Sequence, residues 1–544
     1  MPTNETELEA VEARGEGHAT SRAGDVAACV DLLEAMAKDP ALLSDLDESL
    51  RRRLTIAAGR VSRPDREQRR TFAKAVKQKE LALSKAEDEF KLTRSKIREL
   101  RRAPVFVTPE PAALTASSGG SFDANAEAPP AEAPEPGVGE LNHARSCYVC
   151  KTAFNTVHSF YDQMCTSCGD FNLQKRTQTA DLSGRVALIS GARVKIGYQA
   201  AILLLRAGAR VIVSTRFPRD AAERYAREKD FSVWKDRLSI YGLDLRHTPS
   251  VETFARHLHQ RLDRLDFVIH NACQTVRRPS GYYGHLMQRE TAELGAIAEP
   301  ARALLADYEA LRSDMGQPTL IADGNAQRTA LFSRDALGVE ASGLVAAAAL
   351  SQIALVPEDR TPSADWFPSG KLDADLQQLD LREVNSWRLV LDQVSTVELL
   401  EVQLVNAIAP FVLNARLRSL MCKQRTFDKH IVNVSAMEGQ FYRTFKTDKH
   451  PHTNMAKAAL NMMTRTSAAD YAKDGIYMNS VDTGWVTDED VAFIAERKTR
   501  ETGFQPPLDI VDGAARIVDP IFDGFRTGRH AWGQFLKDYR PTAW

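Results

Sequence analysis

Val186-Ala-Leu-Ile-Ser-Gly-Ala-Arg-Val-Lys-Ile-Gly197 decides how this chain is read. Val186 to Ser190 is a short apolar run of the kind that forms a buried strand. Gly191 and Gly197 bracket a turn, and Tyr198 to Ala207 reads as a helix that stops at Gly208. Arg210-Val-Ile-Val-Ser-Thr215 is a second strand. A glycine-rich turn between strand and helix lets backbone amides approach a pyrophosphate at the helix N-terminus. The turn alone is a weak signal; its strand–turn–helix–strand setting is a strong one. The class it predicts is α/β, a Rossmann-type doubly wound parallel sheet.

Working outward, the same alternation continues to the C-terminus. Asp244-Leu245 follows a third strand, and Phe267-Val-Ile-His-Asn-Ala-Cys273 is a fourth strand with its loop. Asn406 stands in Val405-Asn-Ala-Ile-Ala-Pro-Phe411. Ile431-Val-Asn-Val-Ser435 is another strand, Lys457 opens Lys457-Ala-Ala-Leu460, and Val481-Asp-Thr-Gly-Trp-Val-Thr487 follows a further strand. In this order the motifs resemble those of the short-chain dehydrogenase/reductase family, over roughly 182–544. The turn from Ser190 to Gly197 is similar to the family's TGxxxGIG, with Lys195 in place of the middle glycine. The resemblance implies hydride transfer between a nicotinamide coenzyme and a carbonyl or alcohol. It implies coenzyme contacts from Gly191, Lys195, Ile196, Gly197, Asp244, Leu245, Asn271, Ala272, Lys457, Gly484 and Thr487. It implies catalytic roles for Asn406, Ser435 and Lys457. His270 and Cys273 depart from the family's NNAG.

The second strand ends Ser214-Thr215-Arg216, with no acid before Asp220. An acid there would accept hydrogen bonds from the ribose 2′-hydroxyl; Arg216 instead suits a 2′-phosphate. NADP is therefore expected over NAD.

The family's proton donor, a Tyr four residues before the Lys, is missing: Thr453 stands there, after Pro451 and His452. A Thr hydroxyl is far too weak an acid. Tyr442, on the loop after Ser435, is the first candidate to replace it. His452, with an unperturbed pKa near 6.5, is the second. The third possibility is a coenzyme-binding scaffold or sensor without turnover, recruiting partners through its N-terminal modules.

From Asn271 to Asn406 the chain is longer than the family needs, which places an insertion at about 276–380. It is read as a lid, a substrate collar or a partner-binding appendage, with helical pattern at Ala301 to Leu311 and Val339 to Ile353. The last helix and strand, after Asp512, resemble a segment that mediates oligomer contacts in the family, so a homo-oligomer is expected.

Upstream lies a Cys-x2-Cys pair, Cys147 and Cys150, and after fourteen residues a second, Cys165 and Cys168. Two such knuckles point four thiolates at one centre, which suits structural Zn2+. Iron is the rival metal. Residues 143–175 are read as a zinc-ribbon-like module whose folding energy comes from the metal. It is read either as a clip on the next domain or as a docking surface.

Residues 104–142 hold seven Pro and six acids but no Lys or Arg, and read as a flexible linker. Residues 1–103 read as helical. From Arg51 to Ala103 there are 18 Lys and Arg against 7 Asp and Glu. Val76, Leu83, Phe90 and Ile97 recur every seven residues, and no Gly or Pro interrupts 66–102. This predicts one long basic helix, with a coiled-coil arm as one reading and a helix folded on its own domain as the other. The scaffold reading implies a protein partner for residues 1–175.

The 544 residues carry a net charge of −1, so no global field draws the chain to nucleic acid or a membrane, and neither partner is expected. The most apolar stretch noted, Gly343 to Val356, is too short to cross a bilayer. The acidic N-terminus and the seven cysteines fit a cytoplasmic protein with reduced thiols and a small-molecule substrate.

Overall fold

The computed structural model describes residues 24–111, 137–314, 344–361, 364–442 and 446–544. Two compact units are distinct: residues 1–86 and residues 87–544.

In the first unit, residues 24–38 are helical, and α1 spans Glu48–Ser62 with Asp47 capping its N-terminus through the Leu50 N–H. Helix α2 spans Arg66–Thr93. No described side chain of residues 24–86 is buried, and Val76 and Leu83 of the heptad line are exposed.

The single long helix expected over 66–102 is broken. α2 ends at Thr93 and a short α3 spans Lys96–Arg101. The first N–H groups of α3 are not helical donors: Lys96 bonds the Ser159 carbonyl and Ile97 the Phe160 carbonyl, each at 3.0 Å. This turn seats Ile97 in an apolar cluster with Cys147, Phe154 and Tyr161. Ile97 therefore leaves the heptad stripe.

The cysteine module is a hairpin and a helix. β1, Gly139–Ser146, pairs antiparallel with β2, Ala153–Val157, and α4 spans Thr166–Thr177. The linker expectation fails at both ends. β1 begins inside it, and residues 106–110 pack on the following domain. Thr108 donates to Glu228 at 2.8 Å and the Pro109 carbonyl accepts from Arg206 at 2.8 Å. The remainder of the linker, 112–136, lies outside the described residues.

The large domain is an eight-stranded sheet in the order β10-β9-β8-β7-β6-β3-β4-β5, all parallel except β10. Its strands are β3 (Val186–Ser190), β4 (Arg210–Thr215), β5 (Leu238–Gly242), β6 (Phe267–His270), β7 (Lys429–Ser435), β8 (Ile476–Asp482), β9 (Phe535–Lys537) and β10 (Arg540–Thr542). Every residue of β3 and β7 is buried, as a parallel sheet covered on both faces requires.

Helices α5 (Lys195–Arg206) and α6 (Pro218–Ala226) cover one face together with the last helix, α11, Ile510–Thr527. Ala514, Ile517, Val518 and Ile521 form the stripe of α11, spaced by three and four residues. α7 (Thr248–Arg261), α9 (Ala409–Met421) and α10 (Pro451–Ala472) lie on the other face. α8, Thr396–Gln403, runs into α9 through a π-helical turn, Leu404–Ile408. The continuous helix Thr396–Met421 is long and apolar enough to cross a membrane, unlike 343–356. Here Leu413, Leu417, Leu420 and Met421 bury one side of it in the core.

Of the insertion, residues 315–343 and 362–363 lie outside the described residues. Its described parts form short helices at Gly284–Thr291, Glu299–Ala303, Ala306–Asp314 and Ala347–Leu350. The last is shorter than the pattern from Val339 to Ile353 predicts.

Candidate active site and cysteine centre

Strand order reverses between β3 and β6, the switch point where ligands bind in open α/β sheets. A cleft of about 340 Å3 opens there. Gly191, Lys195, Ile196, Gly197, Arg216, Asp244, Leu245, Asn271, Ala272 and Thr487 all line it. Lys457 and Gly484 do not.

The glycine-rich turn is clamped by its neighbour. The Asn271 side-chain amide donates to the Gly191 carbonyl at 2.9 Å, and the Ala272 N–H donates to Ser190 Oγ at 3.2 Å. Gly191 has φ +69°, and a Cβ there would sit 2.6 Å from the Ala272 Cα. Lys195 also has positive φ, +57°, a left-handed conformation unusual for a side-chain-bearing residue. That is the backbone geometry for which the resembled pattern uses glycine. Lys195 Nζ lies 3.8 Å from Asp373, and the carboxylates of Asp375 and Asp373 outweigh the cost of burial and raise its pKa. His270 is explained too: its Nε2 is 2.8 Å from Asn414 Oδ1, and burial pushes its pKa down to about 4.

At the end of β4, Arg216 donates to the Tyr283 hydroxyl at 2.8 Å and lies over that ring. Tyr283 tilts against Phe217 with ring centroids 5.1 Å apart. Asp244 is buried. Burial raises its carboxyl pKa, but the Arg246 guanidinium, 2.6 Å away, outweighs that and holds it below the ordinary range. Arg246 continues to Glu401 at 2.8 Å. Sequence reasoning missed Arg193, Arg246, Tyr283 and Glu489 as cleft residues. Arg246 carried a faint signal, two residues after Asp244; Tyr283 carried none, because it enters from the insertion.

The expected catalytic residues fall into two groups. Asn406 sits on the π-helical turn, and its side chain hydrogen-bonds both backbone groups of Gln274. Ser435 ends β7; its Oγ is buried and has no hydrogen-bond partner. Lys457 is buried and donates from Nζ to the Val434 carbonyl at 2.8 Å, so the structure ties it to β7 and not to the cleft wall. Thr453 and His452 are buried at the start of α10. Thr453 Oγ1 and both ring nitrogens of His452 also have no hydrogen-bond partner. His452 Nε2 lies 3.6 Å from Glu398, an ion-pair separation. Tyr442 is a correction: its side chain is 96% exposed, which sets it apart from these buried groups. Its loop turns outward just before residues 443–445, which lie outside the described residues.

In the cysteine module, Cys147 and Cys150 flank the turn after β1, where the Lys151 N–H closes on the Cys147 carbonyl at 3.0 Å. Cys165 is the N-cap of α4 and Cys168 lies in its first turn. The second knuckle thus rests on a helix N-terminus, and not on a second hairpin as a ribbon would have it. The four Sγ atoms lie within 4.8 Å of one another, with Cys150 and Cys165 3.8 Å apart. That separation is about the edge of a tetrahedron with metal–sulfur bonds of ~2.3 Å. The residues fit a four-thiolate metal.

Residues 185–285 match the short chain dehydrogenase family and residues 389–506 match the enoyl-(acyl carrier protein) reductase family. The unmatched stretch between them contains most of the insertion. The chain is 29% identical over 406 residues to the uncharacterized protein R665 of Acanthamoeba polyphaga mimivirus, covering 72% of this chain and 74% of that protein. It is 36% identical over 104 residues to dehydrogenase/reductase SDR family member 13 of Bos taurus, covering 18% of this chain and 27% of that protein. Among solved structures, the Pseudomonas aeruginosa RhlG/NADP active-site complex aligns with a TM-score of 0.38 and 14% identity, covering 65% and 95% of the two chains. Both matched segments lie within the parallel-sheet domain, one in its first half and one in its second, and together they span about two fifths of the chain.

Proposed function

We propose that the protein is an NADP(H)-dependent oxidoreductase that interconverts a carbonyl and an alcohol with an atypical proton donor. The observation that carries this reading is Ser435 Oγ, a buried hydroxyl without a hydrogen-bond partner at the end of β7. Buried polar groups in native proteins are paired, and an orphan at the C-terminal end of a parallel strand, the edge where α/β sheets bind ligands, suits a ligand oxygen.

Bound NADP(H) supplies or accepts the hydride. Arg216, free of any carboxylate within ion-pair distance among the described residues, would hold the 2′-phosphate. Asp244 and Leu245 would meet the adenine side, and the turn from Gly191 to Gly197 the pyrophosphate. Ser435 would orient the substrate oxygen. Thr453 cannot supply a proton, so His452, beside Glu398, would give or take it. Asn406 would act through the Gln274 backbone. Lys457 would brace β7.

We also propose Zn2+ at the four cysteines and a reducing, cytoplasmic setting that keeps them as thiolates. A homo-oligomer is supported by the outer apolar side chains Leu400, Ile408 and Phe411, and by Met455 and Met462 of α10, all exposed.

The test is a calorimetric titration with NADPH and with NADH, followed by a carbonyl screen on wild type and Ser435→Ala. Tighter NADPH binding and turnover lost in Ser435→Ala are expected. Binding without turnover on any carbonyl would turn the reading to a coenzyme-binding scaffold; binding of neither coenzyme would overturn it.

A further inference from the structure

The cysteine module does not stand apart from the cleft. Tyr148, between the first two cysteines, accepts a hydrogen bond from the Trp485 N–H at 3.0 Å. Trp485 follows Gly484, which has φ +75° and passes so close that a Cβ would lie 3.0 Å from the Tyr148 hydroxyl and 2.5 Å from Leu508. Two residues further on, Thr487 lines the cleft, and its hydroxyl donates to Glu489, another cleft residue, at 2.8 Å. Tyr148 is itself held, its N–H donating to the Gln163 carbonyl at 2.8 Å.

The apolar side agrees. One cluster joins Cys147, Tyr161 and Leu508 to Val486 of the same loop, and packs against Tyr148 and Ile196. Ile196 belongs to the glycine-rich turn and lines the cleft. Charged groups fasten the module from below. Arg176 of α4 bonds Asp509 at 2.6 and 2.8 Å and Asp512 at 2.8 Å, and the Tyr161 hydroxyl donates to Asp512 at 2.6 Å. A segment of about thirty residues has too little core to hold this shape unaided, so its metal would set the position of Tyr148.

We propose that the cysteine centre is a working part of the coenzyme site: its metal holds Tyr148, and Tyr148 positions the 484–489 loop against the cleft. Tyr148 is a positioning residue. The proposal rests on the NADP(H) reading for its binding arm, but its loop arm stands without it.

The experiment uses the full chain with its metal content measured. Metal is stripped with a chelator and restored with Zn2+ alone. Two signals are read: the emission of Trp485, assigned by a Trp485→Phe control, and the Kd for NADPH. Stripping is expected to shift Trp485 emission and weaken NADPH binding, both reversed by Zn2+. Tyr148→Phe keeps the ring and the cysteines but loses the acceptor. It is expected to retain full metal and its melting cooperativity, alter Trp485 emission, and weaken NADPH by about three- to tenfold, the effect of one hydrogen bond. The NADPH-to-NADH preference, set elsewhere, stays as in wild type. Unchanged Trp485 emission in both stripped protein and Tyr148→Phe overturns the proposal. Emission that follows the metal in a protein that binds neither coenzyme upholds the loop coupling and rejects the NADP(H) reading instead.

Discussion

Asn406 hydrogen-bonds both backbone groups of Gln274: its Oδ1 accepts from the N–H at 2.8 Å and its Nδ2 donates to the carbonyl at 3.2 Å. The pair ties the π-helical turn between α8 and α9 to the loop after β6. That loop carries Asn271, Ala272 and Cys273 along the cleft. A π-turn adds a residue to a helix and redirects one side chain, which is why such turns gather at functional sites. Asn406→Ala leaves both Gln274 groups without this partner. The expected cost is about 1–3 kcal/mol of stability with weaker coenzyme binding. Thermal melting and an NADPH titration check it, and wild-type values for both would show that the pair has no role.

Much of this site was legible because it depends on local rules. A strand, a glycine turn and the start of a helix are coded within twelve residues, so Gly191, Ile196 and Gly197 were found at the cleft. The break between α2 and α3 was not legible. Every residue from 66 to 102 tolerates a helix, and the turn is imposed by the carbonyls of Ser159 and Phe160, more than sixty positions away. The pairing of His452 with Glu398 spans a similar distance, and periodicity does not encode it. Tyr442 is the opposite case: it follows Ser435 by seven residues, yet Ser435 is buried and the Tyr442 side chain is almost wholly exposed, a difference that sequence nearness does not encode. Residues 106–110 read as linker because their Pro and acids lack apolar period. What holds them is an apolar contact, Phe106 against the cluster around Ile97 and Cys147, together with polar ones: Thr108 with Glu228, and the Pro109 carbonyl with Arg206.

The acidic turn of the insertion lies beside Lys195 of the glycine-rich turn, where the proposed coenzyme would place its pyrophosphate. Asp373 lies 3.8 Å from Lys195 Nζ, and the Arg224 guanidinium holds the Asp375 and Leu376 carbonyls at 3.0 and 3.2 Å. A carboxylate there competes with a pyrophosphate for Lys195. Asp373→Asn is therefore expected to tighten NADPH binding by about two- to fivefold at low salt. Both side chains are roughly one-third exposed, so salt screens the gain. Titrations at about 0.01 M and 1 M salt check this; a gain that persists at high salt would point to a cause other than charge.

Under the NADP(H) proposal, coenzyme preference would rest on Arg216. Charge-assisted hydrogen bonds contribute about 1.5–3 kcal/mol each, so Arg216→Ala is expected to weaken NADPH by at least about tenfold. NADH, which lacks the 2′-phosphate, should change by no more than about twofold. Tyr283→Phe removes only the hydroxyl that receives the Arg216 N–H and keeps the ring beneath it. Its expected effect has the same direction and is smaller. Parallel losses for NADPH and NADH would show that Arg216 serves general packing.

The buried His270 gives the fold a pH dependence whose sign is determined by the direction of its shift. Burial lowers its pKa from the usual 6.5 to about 4, so the folded chain keeps the ring neutral while the unfolded chain protonates it between those values. The unfolded state then binds more protons, and stability falls as pH drops from about 6.5 towards 4. At pH 5 this one ring accounts for a loss of about 2 kcal/mol relative to pH 7.5. His270→Asn removes the titrating group. It is expected to flatten the slope of stability against pH across that window, whatever it does to stability at neutral pH through Asn414. Urea unfolding of both proteins at pH 7.5, 6 and 5 measures it. Equal slopes would mean that the ring is protonated in the folded chain, with a water or carboxylate reaching it beside Asn414.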